Sequence, residues 1–197
     1  LATSLAKSGK KVLLIDGDLR KPDIGHMLNV LNNTSGLQNV LLGEDPNGIV
    51  CVLPSSGLHV LAANPRYTGD AYELLTSSTA SEQMERLGRE YDHLIVDSPP
   101  ALAFPDALVW AKLTDAVILV SFAGQTTAPD LKEAKERFAR IRARILGAVV
   151  SNVPVDQGLY RQGYTYRSRS TVSARKTGKP KKLLLSSSGS GGDRPAN

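Results

Sequence analysis

The chain has 197 residues, 41% of them hydrophobic and 22% charged, which suits one globular core with room for a tail. No run of about 18 apolar residues occurs, so nothing in this sequence reads as a membrane span, and Leu1–Lys11 is too short and too polar for a signal peptide. The single cysteine, Cys51, excludes a disulfide framework and any multi-cysteine metal site and makes a reducing, cytosolic setting the default, while His26, His59 and His93 show no metal-ligand spacing.

The net charge of +5 is unevenly spread. Residues 156–197 carry nine Lys/Arg against two Asp, which leaves fifteen Lys/Arg against seventeen Asp/Glu in residues 1–155. The first part is slightly acidic and the excess positive charge sits in the tail. That distribution argues against a nucleic-acid-binding module, since no basic recognition surface or aromatic-basic RNA motif accompanies the core.

In chain order, Leu1–Ser8 reads as the end of a helix stopped by Gly9. Val12–Ile15 is a continuous apolar run of the kind found in strands buried on both faces. Short helices follow at Leu37–Leu42 and Ala71–Ser77, with a strand between them at Leu58–Leu61. Ser81–Tyr91 is an amphipathic helix, His93–Val96 a second buried strand, Asp106–Leu113 a helix and Ala116–Val120 a third strand. A helix over Pro129–Arg142, with Pro at its first position, leads into a last strand, Leu146–Ser151. Alternating strands and helices, with strands apolar throughout, predict an α/β fold with a mostly parallel sheet covered by helices on both faces. The tail, from 156 to 197, is rich in Ser, Gly, Arg and Lys, with Leu183–Leu185 its only apolar run. Its composition predicts disorder beyond about Ser168.

In open parallel sheets, ligands bind beyond the carboxyl ends of the strands. The first strand ends in Asp16-Gly17-Asp18 and the second in Asp97-Ser98-Pro99. If the two strands are neighbours, about 4.8 Å apart, Asp16, Asp18 and Asp97 converge on one edge. Carboxylates gathered there call for a hard divalent cation such as Mg²⁺, which is commonly held by one or two carboxylates together with a substrate phosphate. An apolar strand ending in Asp, as in Leu94–Asp97, is also the Walker B pattern of nucleoside triphosphate enzymes. No segment matches G-x-x-x-x-G-K-[ST], the loop that cradles phosphates.

Ile15-Asp16-Gly17-Asp18-Leu19-Arg20-Lys21-Pro22 resembles the Walker A-prime motif of bacterial tyrosine autokinases (BY-kinases) of capsular and exopolysaccharide biosynthesis. Leu94-Ile95-Val96-Asp97-Ser98-Pro99-Pro100 is similar to their Walker B, with Ser98 where Thr is commoner. Gly36–Gly43, Glu73-Leu74-Leu75 and Leu146–Asn152 fit as well, and the likeness covers roughly residues 1–166. The resemblance implies a P-loop NTPase-like fold of the deviant-Walker MinD/ParA superfamily. It also implies that the sequence starts just after the family's Walker A loop, so that these residues alone are inactive. Further implications are ATP and Mg²⁺ as cofactors, Asp16, Asp18 and Asp97 as catalytic and metal residues, Asn152 facing the adenine, and Arg20 contacting a phosphate or a neighbouring subunit.

Tyr160, Tyr164 and Tyr166, three of the six tyrosines, fall within seven residues. They resemble the family's C-terminal cluster, phosphorylated in trans by a neighbouring subunit. The partners implied are other copies in a ring-like homo-oligomer, a membrane chain-length or polysaccharide co-polymerase protein (or a fused membrane domain), and a tyrosine phosphatase. The implied location is the inner face of the plasma membrane. A MinD/ParA-like positioning ATPase is the alternative, disfavoured by the tyrosine cluster and by Leu19-Arg20-Lys21-Pro22.

Overall fold

The computed structural model describes residues 1–30 and 35–153. The expected boundary at residue 155, the expected disorder beyond Ser168 and the tyrosine cluster lie outside the described residues.

Helix α1 (Ala2–Lys7) turns at Gly9, whose φ of 87° is open to a glycine at little cost, and leads into β1 (Val12–Asp16). Two short helices follow, α2 (Ile24–Leu28) and α3 (Leu37–Leu41). A hairpin of β2 (Cys51–Leu53) and β3 (Leu58–Leu61) comes next, then α4 (Ala71–Thr76), α5 (Ser78–Glu90) and β4 (His93–Asp97). The chain continues through α6 (Asp106–Lys112), β5 (Val117–Phe122), α7 (Ala128–Arg140) and β6 (Ile145–Ser151).

β1 lies between β3 and β4 and runs parallel to both, while β2 adds antiparallel to β3, giving the order β2-β3-β1-β4. β5 and β6 form a separate parallel pair. The sheet is therefore mostly parallel, with one antiparallel strand that the sequence reading did not contain. Among the described residues, the second edge of β4 and the second edge of β5 have no strand partner.

The alternation of β1 explains the layers. Leu13 and Ile15 point to one face and meet α3, α4, α5 and α6 through Leu37, Leu41, Leu75, Met84, Leu87 and Trp110. Val12, on the opposite face, packs with Ala2 and Ala6 of α1 and Ile24 of α2. Each fully buried Leu or Ile of this kind contributes about 1.5–3 kcal/mol of transfer free energy. α5 buries Ala80, Met84 and Leu87, the i, i+4, i+7 stripe of a one-sided helix, and Ser77 caps it by accepting from the Ala80 amide at 3.0 Å.

Burial on both faces does not extend to every strand. β4 is half-buried and β6 is largely exposed, with Leu146, Val149 and Val150 open to solvent, as is Ile118 of β5. The β5–β6 pair is covered on one face by Ala107 and Ala111 of α6 and Phe138 of α7. The cap of α7 also differs from expectation. Thr127 caps it in a reciprocal box with Asp130, so Ala128 is its first residue and Pro129 its second.

Candidate functional site

The site is built from the carboxyl ends of β1 and β4. Their register pairs Asp16 with Asp97, and the Gly17 amide donates to the Asp97 carbonyl at 2.7 Å, so the strand pairing runs one residue into the loop. Gly17 is required by this approach. A Cβ there would stand 2.6 Å from Val96 Cγ1, 2.7 Å from the Asp97 carbonyl oxygen and 2.9 Å from Trp110 Nε1.

Asp16 is 1% exposed, and its Oδ2 accepts from the Ile24 amide at 3.1 Å, which ties the acid to the start of α2. Burial is the main reason that its pKa is raised to about 7, with the nearby Asp97 and Asp18 adding to the effect. Asp97 is raised to about 6, chiefly by burial and then by Asp18. Asp18 is half-buried and closes its own turn, its Oδ1 accepting from the Arg20 and Lys21 amides at 3.1 and 2.9 Å. Among the described residues neither Asp16 nor Asp97 makes an ion pair.

These three acids repel one another in a desolvated corner, but they do not form a finished cage. No group of three His, Cys, Asp or Glu side chains among the described residues is arranged to hold a metal by itself. An all-oxygen donor set with two desolvated carboxylates, neither in an ion pair among the described residues, fits Mg²⁺ in the open mode, in which waters and a phosphate complete the octahedron. A divalent cation would also lower the pKa values of Asp16 and Asp97 by favouring their ionised forms.

Arg20 is placed elsewhere than on a free phosphate-facing rotamer. Its guanidinium grips Asp106 with two bonds, Nε to Oδ2 at 2.6 Å and Nη2 to Oδ1 at 3.0 Å, and lies 4.8 Å from the centre of the Phe104 ring. Asn152 follows β6 directly, exposed and in the left-handed region with φ of 57°. That is the conformation of a strand-end turn, and Asn tolerates it better than most residues. Tyr160, Tyr164 and Tyr166 are outside the described residues.

Sequence reasoning missed two groups at the acids' loop. Trp110 Nε1 donates to the Gly17 carbonyl at 2.9 Å, and Asp106, 1% exposed, is the partner of Arg20. The spacing of Asp106 and Trp110, four residues apart on one helix, was visible in the sequence, but only the packing of α6 beneath the loop gives it a meaning. At the next strand end, the buried Gln38 side chain acts as an extra peptide unit, accepting from the Asn64 amide at 2.8 Å and donating to the Asn64 carbonyl at 3.1 Å.

The chain matches the AAA domain family over residues 1–142. It is 38% identical over 152 residues to the tyrosine-protein kinase YwqD of Bacillus subtilis, covering 77% of this chain and 63% of that protein. It is 31% identical over 158 residues to the putative tyrosine-protein kinase CapB of Staphylococcus aureus, covering 80% and 68%. Among solved structures, the VpsO kinase domain superposes with a TM-score of 0.73 at 36% identity, covering 77% of this chain and 74% of that one. The chain thus spans a little under two thirds of YwqD, and its fold is that of the P-loop nucleoside triphosphatases. With its acidic β1 and β4 ends and these likenesses together, the chain belongs to the bacterial tyrosine-kinase branch of the AAA domain family.

Proposed function

We propose that these residues are the kinase region of an ATP- and Mg²⁺-dependent tyrosine autokinase whose targets are Tyr160, Tyr164 and Tyr166 of a neighbouring copy. The observation that carries this reading is the in-register pair Asp16–Asp97, desolvated, without an ion pair among the described residues, and set at the strand ends of a chain related to tyrosine kinases.

Asp16, Asp18 and Asp97 would hold the Mg²⁺, which when bound supplies charge neutralisation for the transferring phosphoryl group. A tyrosine phenol has a pKa near 10 and is a weak nucleophile at neutral pH. Asp16, buried at the end of β1 beside the metal position, is the carboxylate we assign to accepting that proton. Its Oδ2, fixed by the Ile24 amide, holds the carboxyl plane in place during such a transfer. Asn152, exposed at the end of β6, is the residue assigned to the adenine. Arg20 is assigned to the nucleotide site through the Asp16–Asp18 loop it braces.

The wider reading follows from the same kinship. The kinase acts in polysaccharide polymerisation or export, assembles with copies of itself and works with a membrane co-polymerase protein or a fused membrane domain, opposed by a phosphatase. No helix among the described residues is long and apolar enough to cross a membrane, so attachment at the inner membrane face would come from elsewhere.

The test expresses the full open reading frame containing these residues, incubates it with Mg²⁺ and ATP, and maps phosphosites by mass spectrometry. Phosphate on the tail tyrosines, lost in Asp16→Asn, is the expected result. ATP hydrolysis with unmodified tyrosines would replace the kinase reading with a positioning ATPase. The 197 residues by themselves, lacking G-x-x-x-x-G-K-[ST], are expected to show no ATP binding at micromolar concentrations by calorimetry.

A further inference from the structure

We infer that α6 is the positioning element of the acidic loop: Trp110, bonded to the carbonyl between the two acids, and Asp106, clamped on Arg20, together hold Asp16-Gly17-Asp18 against the end of β4. This rests on the metal reading above for its consequence, but not for its geometry.

Asp106 and Trp110 are four residues apart, so they share one face of α6. Both are nearly inaccessible, at 1% and 2% exposure. Each carries a polar group that burial obliges to find a partner, and both partners lie in the same five-residue stretch. Trp110 Nε1 takes the Gly17 carbonyl at 2.9 Å, and Asp106 takes the Arg20 guanidinium in a two-pronged contact at 2.6 and 3.0 Å. Phe104, just before the helix, stacks against Arg20 and limits its alternatives.

Between these anchors, Leu19 packs into the core, and the remaining polar support of the loop comes from few groups. Gly17 offers only its backbone, donating to the Asp97 carbonyl on one side and accepting from Trp110 on the other. Asp18 is tied to its own turn through the Arg20 and Lys21 amides, so the clamp on the Arg20 side chain also fixes the turn that orients Asp18. A packing role alone would be met by any large apolar side chain at position 110. The indole N–H adds a bond to the carbonyl midway between two acids whose spacing decides whether a cation fits. Trp110 is also the only tryptophan in the chain, which makes its emission an optical reporter of that carbonyl.

The test uses the 197-residue chain with Mn²⁺ as probe. Free Mn²⁺ is followed by electron paramagnetic resonance, Trp110 emission is read in parallel, and hydrogen exchange is measured for residues 17–24. Trp110→Phe keeps an apolar aromatic ring, smaller than the indole, and removes the hydrogen bond to Gly17, so it is expected to weaken Mn²⁺ binding about fivefold. Asp106→Asn is expected to weaken it further, and Arg20→Lys, which keeps the charge but loses the fork, to fall between wild type and Asp106→Asn. In Trp110→Phe and Asp106→Asn, the amides of 17–24 should exchange faster while β1 and the body of α6 stay protected.

Variants that bind Mn²⁺ like wild type and exchange alike in 17–24 would overturn the inference while leaving the metal reading intact. A wild-type chain that binds no Mn²⁺ either alone or with inorganic phosphate added, with Trp110 emission unmoved, would instead remove the metal reading. Exchange in 17–24 then still decides α6, since faster exchange in the variants supports the clamp and unchanged exchange refutes it.

Discussion

At the scale of single residues, the most informative property is the protonation of two acids. Asp16 and Asp97 are raised to about 7 and about 6 from the 3.8 of an unfolded chain. The metal-free native state therefore holds protons that the unfolded state gives up. Native stability is expected to fall as pH climbs from about 4 through about 7, by an amount on the order of a few kcal/mol. Urea unfolding in the presence of a chelator checks this, and Asp18→Asn should shrink the slope by removing a negative neighbour of both acids. Saturating Mg²⁺ should oppose the loss, because it favours the ionised forms. A second prediction concerns Gly17. Gly17→Ala inserts a methyl where Val96 Cγ1, the Asp97 carbonyl and Trp110 already stand within 2.9 Å. Forcing them apart is expected to cost about 1–3 kcal/mol in the same unfolding assay.

At the scale of elements, α3 shows how a helix can finish a strand end. Gly36 sits where a Cβ would lie 2.5 Å from the Asn64 amide nitrogen, and the Leu37 amide donates to the Ala62 carbonyl at 2.8 Å. This close approach lets Gln38 satisfy both backbone groups of Asn64. Gln38→Leu should destabilise the chain by about 2 kcal/mol, by thermal unfolding, through leaving the Asn64 amide unpaired and its carbonyl with only the Tyr67 amide. Most elements were legible because their signals are local. The apolar run Val12–Ile15, the stripe of α5 and the strand before Asp97 need no partner to be recognised. What escaped was non-local or very short. β2 is three residues that become a strand only beside β3, and α2 is a single turn-and-a-half whose Ile24 amide serves Asp16. The acids could be placed at strand ends from spacing alone. The partners of Arg20 and Gly17 could not, since they come from a helix more than eighty residues away.

For the molecule as a whole, charge is divided between a slightly acidic body and a basic tail. A phosphotyrosine adds about −1.5 to −2 at neutral pH, so three of them would bring the tail close to neutrality. If the tail tyrosines are phosphorylated as proposed, the unmodified tail is expected to hold acidic partners or anionic lipid and the phosphorylated tail to release them. Co-sedimentation with vesicles containing phosphatidylserine, before and after phosphorylation by an active kinase, is expected to show release. The variant with Phe at 160, 164 and 166 should stay bound throughout.

Two of the strand edges that are bare among the described residues, those of β4 and β5, carry a further consequence. β4 reads His-Leu-Ile-Val-Asp and β5 reads Val-Ile-Leu-Val-Ser-Phe, with neither lysine nor proline in either one. Exposed backbone donors and acceptors on mostly apolar segments rich in β-branched residues are templates on which further chains can add, and proteins usually guard such edges. Kept at high concentration as these 197 residues alone, the molecule carries a seed for ordered self-aggregation within its own sheet. Covering those rows of amides and carbonyls is expected to keep it dispersed.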